Sequence, residues 1–248
     1  MKIAKIAVPV AIVAIAAVVI FRSQPGFDWA SITYDPVPPD WTAIAAWPSQ
    51  EAELVDALPD PNRRITAIVL DDSGSMEADM DAAKQAVIDA LKAMQDTDRV
   101  AVVALNAGVV LPFTFVGDAR RTLPAALAPI RASGSTPLTR AILDTQALLE
   151  AEASTVRGFG TFRMIVTTDG AADDGEALQR AIEDLAARTP IQLTTIGIGI
   201  RGNHVLRRAD LGSFVDVANV AALEGALQAA VAENDNFAAI TEFTDGEG

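Results

Sequence analysis

The chain has 248 residues, half of them apolar, enough for one α/β domain with appendages. Its net charge of −14 speaks against a surface that neutralises phosphates, and so against nucleic-acid binding. It has no cysteine, which excludes disulfides, thiol catalysis and Cys-ligated metals.

In chain order, residues 1–21 are a separate element. Lys2 and Lys5 precede an almost unbroken apolar run to Phe21. As a helix, residues 3–21 would be about 28 Å long, close to the thickness of a bilayer core. The basic residues at its start favour an N-in, C-out orientation. No small-x-small cleavage site follows in Phe21 to Trp29, so the segment reads as an uncleaved signal anchor rather than a signal peptide. This places the following domain on the periplasmic or extracytoplasmic side of the inner membrane. Residues 22–61 form a linker with seven prolines and all the Trp and Tyr of the chain: Trp29, Tyr34, Trp41 and Trp47. A solvated spacer does not need such residues. They can lie at the membrane interface, meet a partner, or dock on the chain's own apolar surface, and docking is the plainest choice.

From Ile65 onward, strand and helix patterns alternate. Ile65–Leu70 is a short apolar strand. Met76, Met80, Ala83, Val87, Leu91 and Met94 recur at helical spacing and predict one long helix whose methionines belong to the core. Val100–Leu105 and Val109–Phe115 predict a hairpin through Asn106, Ala107 and Gly108, giving an antiparallel edge. The next stretch, with Pro124 and Pro129, reads as poorly periodic. Leu138, Ala141, Ile142, Thr145 and Leu149 mark a helix, and Arg163–Thr167 a strand. A second helix carries Leu178, Ala181, Ile182 and Leu185 and stops at Thr189 and Pro190. Strands at Ile191–Ile200 and Phe214–Val217 and a helix at Leu223–Val231 complete the series. The fold class is therefore α/β: a doubly wound, mostly parallel sheet with one antiparallel edge strand and helices on both faces, over residues 62–233. Residues 234–248 read as an acidic tail. Gly197 and Gly199 lack the full spacing of a dinucleotide turn.

Three segments carry chemistry. Residues 68–76, IVLDDSGSM, end a strand with Asp71, Ser73 and Ser75 on one loop. In an open α/β sheet, ligands bind at the carboxyl ends of strands. Hard oxygen donors without His or Cys suit Mg²⁺, with Mn²⁺ or Ca²⁺ as alternatives, rather than Zn²⁺. An Asp and Ser pair also caps helices, so the first segment alone does not decide. Residues 133–138, SGSTPL, place Thr136 on a Gly-containing turn at a helix start. Residues 164–170, MIVTTDG, end a second strand at Thr168, Asp169 and Gly170. A parallel sheet brings such junctions together along one edge.

The sequence Asp-x-Ser-x-Ser, then Thr after a Gly-bearing turn, then Thr-Asp-Gly, resembles the metal-ion-dependent adhesion site of the von Willebrand factor type A (VWA) domain. The resemblance covers residues 63–233. It implies direct coordination by Ser73 and Ser75, coordination by Thr136 directly or through water, and action of Asp71 and Asp169 mainly through water and hydrogen bonds. It also implies that a partner carboxylate fills the sixth position, and that the C-terminal helix is a place for conformational coupling. Asp72, an extra acid within the first motif, departs from the pattern and is expected to point away from the metal.

These readings favour a non-enzymatic binding module: a membrane-tethered domain, held through residues 3–21, that captures an Asp or Glu of a protein partner. The alternatives are a scaffold subunit serving an AAA+ ATPase and a Mg²⁺-dependent phosphohydrolase. The latter needs a second Asp where Ser73 stands. Arg131 and Arg140, with Arg120 and Arg121 on the preceding segment, are expected to form a basic rim that steers an acidic partner. His204, the lone histidine, reads as a surface or helix-start residue.

Overall fold

The computed structural model describes residues 36–49, 62–202 and 204–232. The anchor at 1–21, most of the linker and the tail at 234–248 lie outside the described residues, and no described helix is long and apolar enough to cross a membrane.

Seven residues in a row, Arg64–Leu70, are buried and form β1. Such a run can only be a strand covered on both faces, as the centre of a parallel sheet is. Five more strands join it: β2 (Arg99–Ala104), β3 (Gly108–Phe115), β4 (Thr161–Thr168), β5 (Gln192–Ile198) and β6 (Ser213–Val217). Their order is β3-β2-β1-β4-β5-β6, and all neighbours are parallel except β2 and β3. The predicted antiparallel edge is therefore present.

The side-chain alternation of β1 divides the interior in two. Ile68 and Leu70 enter one core with Met76, Met80, Val87, Leu91, Val102 and Leu123. Ile65, Ala67 and Val69 enter the other with Leu138, Ile142, Leu149, Phe162, Met164 and Ile182. The first face is covered by α2 (Met80–Ala90), α3 (Val116–Leu127) and α6 (Leu223–Ala232), the second by α4 (Leu138–Thr155) and α5 (Gly175–Arg188).

Two expectations are corrected. The single long helix is broken: Gly74–Ala78 and Leu91–Ala93 are 3-10 turns on either side of α2. The front break follows from Gly74, whose N–H donates to Gly134 O at 3.1 Å, so the loop is pinned sideways before the helix can begin. The stretch read as poorly periodic is α3, with Pro124 inside it. Its stripe of Val116, Ala119, Leu123 and Leu127 is buried while Pro124 stays on the exposed side. There the missing N–H costs least, because water can satisfy the carbonyl left without a partner.

Part of the linker docks on the domain. The short helix α1 (Trp41–Ala45) is capped by Asp40, whose N–H donates to Ala187 O at 2.7 Å. The Trp47 ring meets the edge of Phe162 at 4.7 Å, and Ser49 N–H donates to Glu150 at 2.8 Å. Trp41 itself is exposed.

Candidate metal centre

β1 lies between β2 and β4. The chain leaves β1 for β2 on one side and returns to β4 on the other, which opens a crevice at the carboxyl ends of β1 and β4. Asp71 and Asp169 are the first residues beyond these two strands.

Asp71 is fully buried. Its Oδ1 accepts the Ser73 N–H at 2.9 Å and its Oδ2 the Asp169 N–H at 3.3 Å. Its own N–H donates to Thr167 Oγ1, which in turn donates to Val69 O. One carboxylate thus sets the course of both loops. The Ser73 and Ser75 hydroxyl oxygens are 3.0 Å apart, and Ser75 Oγ donates to Asp169 Oδ1 at 2.8 Å.

Thr136 joins through its loop. Ser133 N–H donates to Asp72 O at 2.8 Å, and Gly134 O receives the Gly74 N–H. The Thr136 hydroxyl takes no part in the serine–aspartate network. The structure therefore connects Asp71, Ser73, Ser75 and Asp169 by direct hydrogen bonds, and brings Thr136 alongside by backbone contacts.

Residues outside the motif hold this arrangement. Asp72 is buried and faces away from the serines, as expected from its place one residue past Asp71 in an extended segment. Its Oδ1 accepts the Asn106 N–H at 2.7 Å and its Oδ2 the Ala107 N–H at 3.1 Å, which ties the hairpin turn to the first loop. Asn106 Nδ2 donates to Ser135 O at 3.0 Å. Gly134 has φ +79°, and a Cβ there would lie 2.7 Å from Asn106 Oδ1, so only glycine allows this approach. Asp173 was not singled out in the sequence. It accepts from Ser135 Oγ at 2.6 Å and from the Thr136 N–H at 3.1 Å, and its own N–H donates to Thr136 O. The only sequence signal for it is an acid within reach of a Thr-Asp-Gly loop.

The donor chemistry fits a hard divalent cation. Neighbouring ligands of an octahedral Mg²⁺ with bonds of 2.0–2.1 Å are about 2.9 Å apart. The Ser73–Ser75 and Ser75–Asp169 oxygen pairs already have that spacing. Among the described residues there is no cluster of three or more His, Cys, Asp or Glu that could hold a metal, so any cation here relies on hydroxyls. Burial raises the Asp169 carboxyl above its ordinary range, and the nearby Asp71 adds to this, against the pull of the Ser75 hydrogen bond. A cation would relieve both effects.

The arginine rim is not assembled as expected. Arg120 donates to Leu91 O and Met94 O and pairs with Asp96, ahead of β2 and so at the opposite end of the sheet. Arg121 pairs with Asp118. Arg131 turns back on Ala128 O and Ile130 O. Arg140 remains beside the Thr136 turn, in an exposed pair with Asp144 at 3.4 Å. His204 heads the 3-10 turn Val205–Arg207, its Nδ1 accepting the Leu206 N–H at 3.2 Å. Burial keeps its pKa below the ordinary value, although a contact with Gly170 backbone opposes this. The histidine thus packs against the Asp169 loop, which sequence distance alone concealed.

Residues 66–172 match the family model of the von Willebrand factor type A domain. Solved structures share the fold. A von Willebrand factor type A protein from Catenulispora acidiphila is 24% identical over 69% of this chain and 42% of its own, with a TM-score of 0.58. The pilus adhesin SpaC from Lactobacillus rhamnosus GG, in an open conformation, is 15% identical over 71% of this chain and 30% of its own, with a TM-score of 0.57. The manganese-loaded TRAP protein of Plasmodium vivax is 16% identical over 68% of this chain and 74% of its own, with a TM-score of 0.50. The match thus spans less than half the length of the first two. No curated protein matches the chain. The described core is an α/β domain of VWA-like fold.

Proposed function

We propose that this chain is a VWA binding module that holds a divalent cation through Asp71, Ser73, Ser75, Thr136 and Asp169 and captures a protein partner by an Asp or Glu carboxylate. One observation carries the reading: at the β1/β4 switch point, two serine hydroxyls and the Asp169 carboxylate form a chain of oxygens with neighbours 2.8–3.0 Å apart. Mg²⁺ or Mn²⁺, when bound, supplies a positive centre that an incoming carboxylate neutralises. The chain's own residues prepare for this. Asp71 spends both oxygens on backbone N–H groups and so acts as a positioning residue. The two serines present neutral oxygens, which leave the cation's charge available to the partner. Asp173 fixes the turn that carries Thr136. Charge-assisted contacts of this kind, removed from water at the centre of an interface, can dominate its affinity.

The manganese carried by the TRAP structure and the naming of SpaC as a pilus adhesin are in keeping with this reading. A non-enzymatic role accords with Ser73 standing where the phosphohydrolase loop needs an acid. The test is calorimetric titration with Mn²⁺ and Mg²⁺. Asp169→Ala should weaken binding at least tenfold while far-UV circular dichroism stays unchanged, because the side chain belongs to neither core. Equal affinity in the variant would remove the assignment.

The proposal includes tethering through residues 3–21, with the domain outside the cytoplasm. Recovery of the intact chain in carbonate-washed membranes checks it, and a mature form starting beyond residue 21 would contradict it.

A further inference from the structure

β3 is an edge strand, and α3 packs on it from one side only. On the other side α4 packs against β1, β4 and β2 and against α5. A groove of about 440 Å³ remains between the β2–β3 hairpin and the first turns of α4. Val103, Leu105, Val109 and Ala141 give it apolar walls, and the Arg140–Asp144 pair lies in its lining. Val109, on the hairpin bank, is 55% exposed. A large apolar side chain left open beside an apolar depression gains by being covered.

The groove is continuous with the candidate metal centre. Ser135 and Pro137, the residues on either side of Thr136, form its end. Asn106, also in its lining, is the residue held by Asp72. A segment that places a carboxylate beside Thr136 therefore meets this depression first as it moves toward the sheet edge. An extended segment advances about 3.3 Å per residue, so a few residues bridge the two. Arg140 and its partner Asp144 both line the depression, so the pair gives it a polar rim without net charge.

We propose that the groove receives an aliphatic side chain from the same partner segment that supplies the carboxylate, so the chain reads an acid and a nearby aliphatic residue together. The inference rests on the binding reading of the Asp71–Asp169 site. The apolar walls select the aliphatic group, and the cation selects the acid.

The test uses the full-length chain in detergent with Mn²⁺ and fluorescent Gly-Ser decapeptides. One peptide carries a single Asp. The others add Leu one, two or three residues to either side. At least one Leu position should tighten binding fivefold or more over Asp alone. That gain should fall at least threefold in the Val109→Ser variant, whose altered side chain lines the groove, is half exposed and belongs to neither core. A Leu series with no gain, or a gain that persists in full in the Val109→Ser variant, overturns the proposal. So does self-association of the wild-type chain that the Val109→Ser variant loses, since the groove would then belong to a second copy. Calorimetry with Mn²⁺ alone separates the two readings: failure to bind Mn²⁺ removes the metal site, whereas Mn²⁺ and Asp-peptide binding without a Leu gain removes only the groove.

Discussion

Asp71 and Asp72 are adjacent, equally buried and chemically identical, yet they serve different parts of the molecule. The extended backbone after β1 sends consecutive side chains in opposite directions. Asp71 meets the Ser73 and Asp169 N–H groups, and Asp72 meets those of Asn106 and Ala107. Asp72→Ala should therefore leave two backbone donors without their acceptor in a buried place. The expected loss is about 1–3 kcal/mol of stability, read as a lower urea midpoint. Asp72→Asn keeps one carbonyl acceptor and should recover part of it. Unchanged stability in the alanine variant would mean that water satisfies the hairpin turn and that Asp72 is not its clamp. The direction of Asp72 was legible from the period of a strand. Its partner was not, because the hairpin turn reaches it only through the parallel pairing of β1 with β2.

At the scale of elements, the parallel strands announced themselves because burial on both faces forces unbroken apolar runs, as in β1 and in Met164–Val166 of β4. The helices were legible where one stripe faces one core. α3 was hidden by the weight given to Pro124, although its buried stripe was present in the sequence. The broken front of α2 was not legible, since its cause is a backbone contact to Gly134, sixty residues on. A similar long-range device holds α6. Arg163, buried in β4, donates to Val231 O at 3.0 Å and Ala230 O at 3.4 Å, the last carbonyls of that helix. These carbonyls have no partner within the helix, and a cation there also suits the helix dipole. Arg163→Met preserves the apolar stem but removes the donors. The C-terminal half of α6 should then exchange its amide hydrogens at least tenfold faster than in the wild type, while β1 amides stay protected. Uniform loss of protection would show that Arg163 supports the whole domain rather than the helix end. Unchanged exchange would show that packing against α2 and the sheet is enough to hold α6.

For the whole molecule, the governing fact is charge. The chain carries a formal −14, and the fold brings Asp71 and Asp169 to one crevice with Asp72 and Asp173 directly behind the loops. Folding therefore assembles like charge that the unfolded chain keeps apart, and the Asp169 carboxyl, raised first by burial, is raised further by Asp71. A cation bound only by the folded chain offsets this, and the linkage has a definite size. At a free Mg²⁺ concentration one hundred times its Kd, stability should rise by about 2.7 kcal/mol. For a domain of this size each kcal/mol moves the melting temperature by about 2–4 °C, so the expected shift is on the order of 5–10 °C. EDTA should reverse it. General screening by salt also reduces repulsion, so the control is NaCl at matched ionic strength, which should give a much smaller shift. Asp169→Ala should lose most of the Mg²⁺ shift while keeping the NaCl response. If Mg²⁺ stabilised that variant as strongly as the wild type, the ion would be acting on the acidic surface at large, and the crevice between β1 and β4 would have no special claim to it.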